Sequence, residues 1–266
     1  MKLMVKNDSL IPYDQSQLPK GKGIVYEVIR VIDRKPLFFK GHFLRMKNSI
    51  DLTGKTFDIT LENFKKITDK LIASVEVNNF NIKVLIDSDS NEIFIFENPS
   101  SYPPAELYEN GIHTEIFKYV RQDPNAKIVN LELTEQAKKL MEKTNSYEVL
   151  LEDTEGCITE GSKSNVFFIK GSELITPPLD KVLPGITRQE IIKCAASSGF
   201  KVSEEQVRAS ELNKYDAAFI SGTSPKILPI NSVGSLKFSV KNKGLSLLMA
   251  NFEDHIEEDL NSYKSI

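Results

Sequence analysis

The alternation of apolar and polar positions is clearest between residues 24 and 39. IVYEVIRVI (24–32) and PLFF (36–39) alternate or run apolar around Asp33-Arg34-Lys35, which has turn character, so the segment predicts a β-hairpin. In HFLRMKNSIDL (42–52) the period changes: Phe43, Met46 and Ile50 recur at three- and four-residue intervals, the spacing of a helix face. Thr60 precedes a second helical stretch, LENFKKITDKLIASVEV, and the strands IKVLI (82–86) and EIFIF (92–96) flank the turn DSDSN.

Prolines 99, 103 and 104 then deny helix and central-strand roles to the stretch 98–104, which reads as a linker. It divides the chain into a small N-terminal domain (1–103) and a larger C-terminal one (108–266). In the latter, IHTEIFKYV reads as a strand and LTEQAKKLMEKT as a helix, with Thr134 where an N-cap would sit. The short strands YEVLLED, CITE, NVFFI and ELITP follow. TRQEIIKCAASSG has the marks of a helix with a Thr187/Glu190 capping box and a Gly199 stop. DAAFISG and PKILPI read as buried strands, and GLSLLMANFEDHIEEDLNSY as an amphipathic closing helix. Many short strands with few βαβ alternations predict an α+β fold rather than a doubly wound sheet.

Composition acts mainly by exclusion. Across 266 residues, 34 Lys+Arg against 37 Asp+Glu leave a formal net charge of −3, with the signs interspersed. That balance gives no electrostatic ground for nucleic acid or an anionic membrane as partner. The start, MKLMVKNDSLIPYDQ, lacks an apolar h-region and no apolar run approaches a membrane span, so a cytoplasmic protein is expected. Cys157 and Cys194 form no CxxC, and His42, His113 and His255 lie far apart, so no local zinc site is expected and free thiols are favoured over a disulfide.

Four places carry possible chemistry. Pro184-Gly185-Ile186-Thr187-Arg188 leads into a helix, where backbone N–H groups and a hydroxyl meet at a positive end suited to phosphate or carboxylate; the commoner reading is an ordinary capped helix. Ser221-Gly222-Thr223-Ser224 is a hydroxyl-rich turn after a buried strand, able to hold an anion but more often a plain turn. Glu160 precedes Gly161-Ser162-Lys163-Ser164-Asn165, as a ligand contact or as a solvated turn residue. Lys127 is one lysine among many, and nothing in its spacing lowers its basicity as a nucleophile would require. Neither GxxxxGK[ST] nor GxGxxG occurs.

Taken in order, VYEVIRV (25–31), HFLR (42–45), Lys127 with Asn130 three positions on, ITEGSKSNVFF (158–168), TPPLDKVLPGITR (176–188) and SGTSPKILPI (221–230) resemble the class-IV aminotransferases, the fold-type IV pyridoxal-phosphate enzymes. The resemblance implies a fold like that of D-amino-acid aminotransferases: a small N-terminal α/β domain, a larger mixed α/β domain carrying the cofactor lysine, pyridoxal 5'-phosphate in the cleft, and a homodimer. By the same resemblance Lys127 is the catalytic, cofactor-bearing lysine and Glu160 the acid partner of the pyridine nitrogen. Arg45 matches the arginine that grips the phosphate. Ile186 and Thr187 match the helix N-terminal phosphate contacts, Thr223 the second hydroxyl contact, and Leu183 the residue on the ring face. Tyr26 resembles a tyrosine that faces substrate, and His42 is expected to support the helix bearing Arg45. The Ser224 amide and Arg30 are candidates for the substrate carboxylate.

The activity so implied is transfer of an amino group between an amino acid and a 2-oxo acid. The alternatives are an aminodeoxychorismate lyase, releasing pyruvate to give 4-aminobenzoate, and a non-catalytic pyridoxal-phosphate-binding relative. Two departures bear on substrate. DQSQLPKGKGIVYE lacks the family's Asp-x-Gly segment before its VYE. The stretch Phe96–Tyr102 has no Arg-x-His of the kind that binds substrate carboxylate in D-amino-acid aminotransferases. D-specificity therefore has no support in the sequence.

Overall fold

The computed structural model describes residues 2–20, 23–99 and 101–263, so Gly21, Lys22 and the linker residue Ser100 lie outside the described residues. By internal contact the chain forms two compact units. The first comprises Met1–Ser101, Ala126–Val129 and Ile256–Ile266, and the second Tyr102–Asn125 and Asn130–His255.

The first unit contains β1 (Leu3–Lys6), β2 (Ser9–Pro12), β3 (Val25–Ile32), β4 (Lys35–Pro36), β5 (Phe80–Asp87) and β6 (Glu92–Asn98). They form an antiparallel sheet in the order β2-β1-β6-β5-β3-β4. Asp33 and Arg34 both take positive φ (47° and 63°), as a two-residue hairpin turn of matching twist requires. The PLFF run does not extend β4 as its apolar character suggests. Phe38 turns into the left-handed region (φ 51°) and Phe39 opens helix α1 (Phe39–Leu52). Helix α2 (Leu61–Ser74) starts on Thr60, whose hydroxyl accepts from the Asn63 N–H.

Both helices cover one face of the sheet, where Ile29, Met46, Ile50, Phe64, Leu71 and Val84 are fully buried. Tyr263, from the far end of the chain, closes this core. Its ring stands edge-on to Phe39 at 5.6 Å, and its hydroxyl donates to Asp69 Oδ1 at 2.7 Å.

The four residues Ala126–Val129 explain where the observed division differs from a 108–266 domain carrying Lys127. The Tyr26 N–H donates to Lys127 O (3.1 Å), the Val129 N–H donates to Ile24 O (3.3 Å), and Val25 bridges Ile128. The segment thus satisfies the open edge of β3, and Lys127 packs with the first unit.

The second unit holds β7 (Ile112–Lys118), β8 (Glu148–Glu152), β9 (Cys157–Gly161), β10 (Asn165–Lys170), β11 (Glu173–Thr176), β12 (Lys201–Glu204), β13 (Val207–Arg208), β14 (Ala217–Gly222), β15 (Lys226–Val233) and β16 (Leu236–Lys237). They form a mixed sheet in the order β12-β11-β10-β14-β15-β7-β8-β9-β13, with β16 on β15. The pairs β11/β12, β7/β15 and β7/β8 are parallel. Helices α3 (Ala105–Asn110), α4 (Leu131–Thr144) and α5 (Ile186–Ser197) follow, with α6 (Lys243–Ser262) at the end of the chain. This is the expected α+β class with helices not arranged as regular crossovers.

Two helix starts depart from expectation. Helix α4 is capped by Asn130, whose side chain accepts from the Leu133 N–H, while the Thr134 hydroxyl donates back to Asn130 O. Helix α5 begins at Ile186 with Gly185 as its N-cap, so Thr187 is already the second residue of the helix and does not cap it. There is no capping box: Glu190 instead accepts from Lys193 and lies 2.9 Å from His255 Nε2. Gly199, at φ 83°, follows the helix end as expected. Cys157 and Cys194 are buried and not bridged.

Candidate active site

Lys127 is held from both sides within the first unit. Its N–H donates to Ser49 Oγ on α1 (3.3 Å) and its C=O accepts from Tyr26 on β3 (3.1 Å). Its ammonium lies 4.6 Å from the centre of the Tyr26 ring, and the Lys83 ammonium lies 5.5 Å from the same centre. The register Tyr26↔Leu85, Val28↔Lys83, Arg30↔Asn81 places Tyr26, Arg30 and Lys83 on one sheet face, with Asn98 in line with Asn81. Lys83 is half-buried in a central strand and has no ion-pair partner among the described residues.

The opposite, inward face of β3 has buried positions at 25, 27, 29 and 31, and at 27 it carries a glutamate. Glu27 is fully buried. Its carboxylate accepts from Arg45 Nε (2.7 Å) and Nη2 (2.5 Å) and from His42 Nδ1 (2.7 Å). His42 and Arg45 stand three residues apart on α1 and so project together.

Burial alone would push the Glu27 carboxyl up. The Arg45 guanidinium beside it, with the hydrogen bonds from Arg45 and His42, outweighs that and holds it at about 2. Burial pushes the His42 imidazole below its ordinary value, against the pull of Glu27, so the ring is neutral at pH 7 and Nδ1–H is the donor.

Both shifts make the fold acid-sensitive. A lowered carboxyl stabilises the native state above its unfolded value of 4.5, and that stability is lost as pH falls toward 2. The buried neutral His42 adds a loss that begins as pH drops through 6.5, where the unfolded chain takes up a proton that the native state refuses. The Glu27 contribution is about 3 kcal/mol. Urea midpoints measured from pH 7 to pH 3 should therefore fall, and fall less steeply for Glu27→Gln below pH 5; identical slopes would refute the linkage.

The second unit gathers a different set. Glu160, at the end of β9, is 3% exposed and accepts from Arg121 Nη1 at 2.6 Å. Its other oxygen accepts from the Leu183 N–H (3.0 Å) and Asn165 Nδ2 (3.4 Å), and Asn165 also donates to Leu183 O (3.0 Å). Asn165 faces Ser221 across the β10–β14 ladder. A Cβ at Gly185 would lie 2.0 Å from Asn165 Oδ1, so only glycine permits this approach of the α5 start.

Ile186 and Thr187 are buried in the first turn of α5, whose N-cap makes no side-chain hydrogen bond. Ser221 is 1% exposed, and its hydroxyl has no hydrogen-bond partner among the described residues. Thr223 and Ser224 follow it, half-buried. Behind the Gly161–Ser164 turn, buried Glu148 accepts from Ser162 Oγ (2.6 Å) and Ser164 Oγ (3.1 Å), which fixes the turn after Glu160.

Tyr26, Arg45 and Lys127 therefore fall together in the first unit, and Glu160, Leu183, Ile186, Thr187, Thr223 and Ser224 in the second. Sequence reading missed Glu27, Lys83, Arg121 and Asn165. Glu27 and Lys83 were legible as charges inside strand patterns, whereas Arg121 sits in an irregular loop with no local sign. Among the described residues no group of three His, Cys, Asp or Glu could hold a metal ion, and no helix is long and apolar enough to cross a membrane.

The chain belongs to the class IV aminotransferases, whose family model, described as amino-transferase class IV, matches residues 24–233. It is an aminotransferase by that membership, and its relatives carry aminotransferase names. A Thermotoga maritima protein named "probable branched-chain-amino-acid aminotransferase" is 31% identical over 241 residues, covering 88% of this chain and 87% of its own. A Listeria innocua D-alanine aminotransferase is 27% identical, covering 91% of this chain and 89% of its own. The solved branched-chain amino acid aminotransferase of Thermobaculum terrenum, in its PLP form, has the same fold. Its TM-score is 0.83 at 22% identity, with 99% of this chain and 96% of that chain covered.

Proposed function

We propose that this aminotransferase uses pyridoxal 5'-phosphate carried on Lys127 to move an amino group between an amino acid and a 2-oxo acid. The observation that carries the reading is the setting of Lys127: backbone fixed on both sides, amine presented over Tyr26. When bound, the cofactor supplies an electron sink that stabilises negative charge at the substrate Cα. The Lys127 amine takes the proton from that carbon and returns it. Glu160 holds a proton on the pyridine nitrogen, Arg45 grips the phosphate, and Leu183 packs on the ring face.

The residues present fit such a group. The uncapped first turn of α5 with Ile186 and Thr187, the unpartnered Ser221 hydroxyl, and Thr223 in the next turn suit a phosphate. The same reading makes the enzyme a cytoplasmic homodimer, with neither nucleic acid nor membrane as partner.

The sheet face that bears Tyr26 also suggests where the substrate carboxylate goes. A half-buried lysine in a central strand loses hydration and gains no counter-charge among its described neighbours. An α-carboxylate meeting Lys83, with Arg30 one pair further along the face and the Ser224 amide as additional donors, offsets that cost. Lys83→Ala should raise the donor KM roughly 10- to 100-fold, the worth of a charged hydrogen bond, with kcat little changed. An unchanged KM removes Lys83 from the substrate.

The reaction is tested with L-branched-chain amino acids, D-alanine and a wider donor panel against 2-oxoglutarate and pyruvate. Amino transfer to either acceptor is expected. Pyruvate release from aminodeoxychorismate without any amino transfer would establish the lyase instead.

A further inference from the structure

We propose that Glu27 is a positioning residue for Arg45, aiming the arginine's donors at the phosphate of the cofactor. The inference rests on the reading of Arg45 as the phosphate-gripping arginine and extends it to a residue on the neighbouring strand. Glu27 occupies an inward β3 position flanked by Val25, Ile29 and Val31, where an aliphatic side chain would serve the core without desolvating a charge. What the carboxylate adds is geometry. Its two oxygens take Nε and Nη2, two donors along one edge of the planar guanidinium, and a fork held at two points fixes the plane of the whole group.

His42 secures the carboxylate in turn. Its Nδ1 meets the oxygen that also receives Arg45 Nη2, so the carboxylate cannot rotate without breaking two bonds. The set carries one negative and one positive charge and a neutral imidazole. Its contribution to an anion is therefore direction rather than net charge.

The test separates phosphate recognition from folding by using two ligands. Apoprotein is titrated with pyridoxal 5'-phosphate and, separately, with phosphate-free pyridoxal, following absorbance. The proteins are wild type, Glu27→Gln, Arg45→Met and the double variant, each checked for folding by circular dichroism. Glu27→Gln should weaken pyridoxal 5'-phosphate roughly 10- to 100-fold while leaving pyridoxal nearly unchanged. The double variant should be no worse than Arg45→Met alone, because the two residues act as one unit.

Equal weakening of both ligands by Glu27→Gln would make Glu27 a general support of the fold and overturn the inference. So would additive losses in the double variant. If Arg45→Met itself leaves the preference for the phosphorylated ligand intact, the assignment of Arg45 fails first, and the inference fails with it. Should Glu27→Gln not fold, Glu27→Asp keeps the charge but shortens the reach, and it is read by the same two-ligand comparison.

Discussion

Lys127→Ala protein is expected to lose amino transfer by at least about 10³-fold, the upper part of the range for a positioned acid–base group. No neighbour can replace it. Lys83 also lies over the Tyr26 ring, but it projects from the sheet face of β5, while Lys127 is tethered to Ser49 and Tyr26 by its own backbone. Alanine keeps those backbone bonds, so the fold should be retained and the loss confined to chemistry. Wild-type protein should be yellow, with a band near the visible edge that borohydride bleaches irreversibly. The variant should lack that reducible band even when pyridoxal 5'-phosphate is added. A Lys127→Ala protein that keeps it would take the cofactor away from Lys127.

Glu160→Gln should lower kcat by about 10²–10³-fold, the effect of losing one preorganised electrostatic partner. Glu160 accepts hydrogen bonds from Arg121, the Leu183 N–H and Asn165 Nδ2. A glutamine offers one oxygen to these donors and turns its NH₂ toward another donor, so some cost in stability, about 1–3 kcal/mol, is also expected. The kinetic effect must be distinguished from that cost. The rate of the half-reaction with donor alone, measured at saturating cofactor, should fall while the donor KM stays close to wild type. An unchanged half-reaction rate would mean that Glu160 only braces the start of α5 through Leu183.

The parts of the fold legible in the sequence were those set by local pattern. The β3–β4 turn, the body of α1 from His42, the helix from Leu61, and the strands of the β5–β6 hairpin follow from period and turn residues within a dozen positions. The strands β1 and β2 escaped, because LMVK and SLIP are four residues each; β1 gains a partner from β6, some ninety positions away, and β2 pairs onto β1 at the sheet edge. PLFF misled because its apolar run suits a strand and a core-facing helix start alike, and the left-handed Phe38 decides between them.

At the candidate site, the resemblance supplied Lys127, Arg45 and Glu160, while local physics supplied the anion-binding character of the α5 start. Glu27 could have been read from the sequence, since VYEVIRVI puts a carboxylate in phase with its valines and isoleucines. Arg121 could not, because its pairing with Glu160 joins positions 39 apart through a loop.

The assembly of the first unit from three stretches of chain has a consequence for its birth on the ribosome. The N-terminal sheet and its two helices emerge first, but Phe39 lacks its edge-on partner Tyr263 until all of α6 and the residue after it have been made. Lys127 likewise reaches β3 only after a stretch of the second unit has been synthesised. Nascent chains truncated near residue 101 should therefore expose apolar surface and depend on holding chaperones. For the same reason neither unit can be exchanged between proteins as a contiguous cassette without leaving the lysine or the closing tyrosine behind.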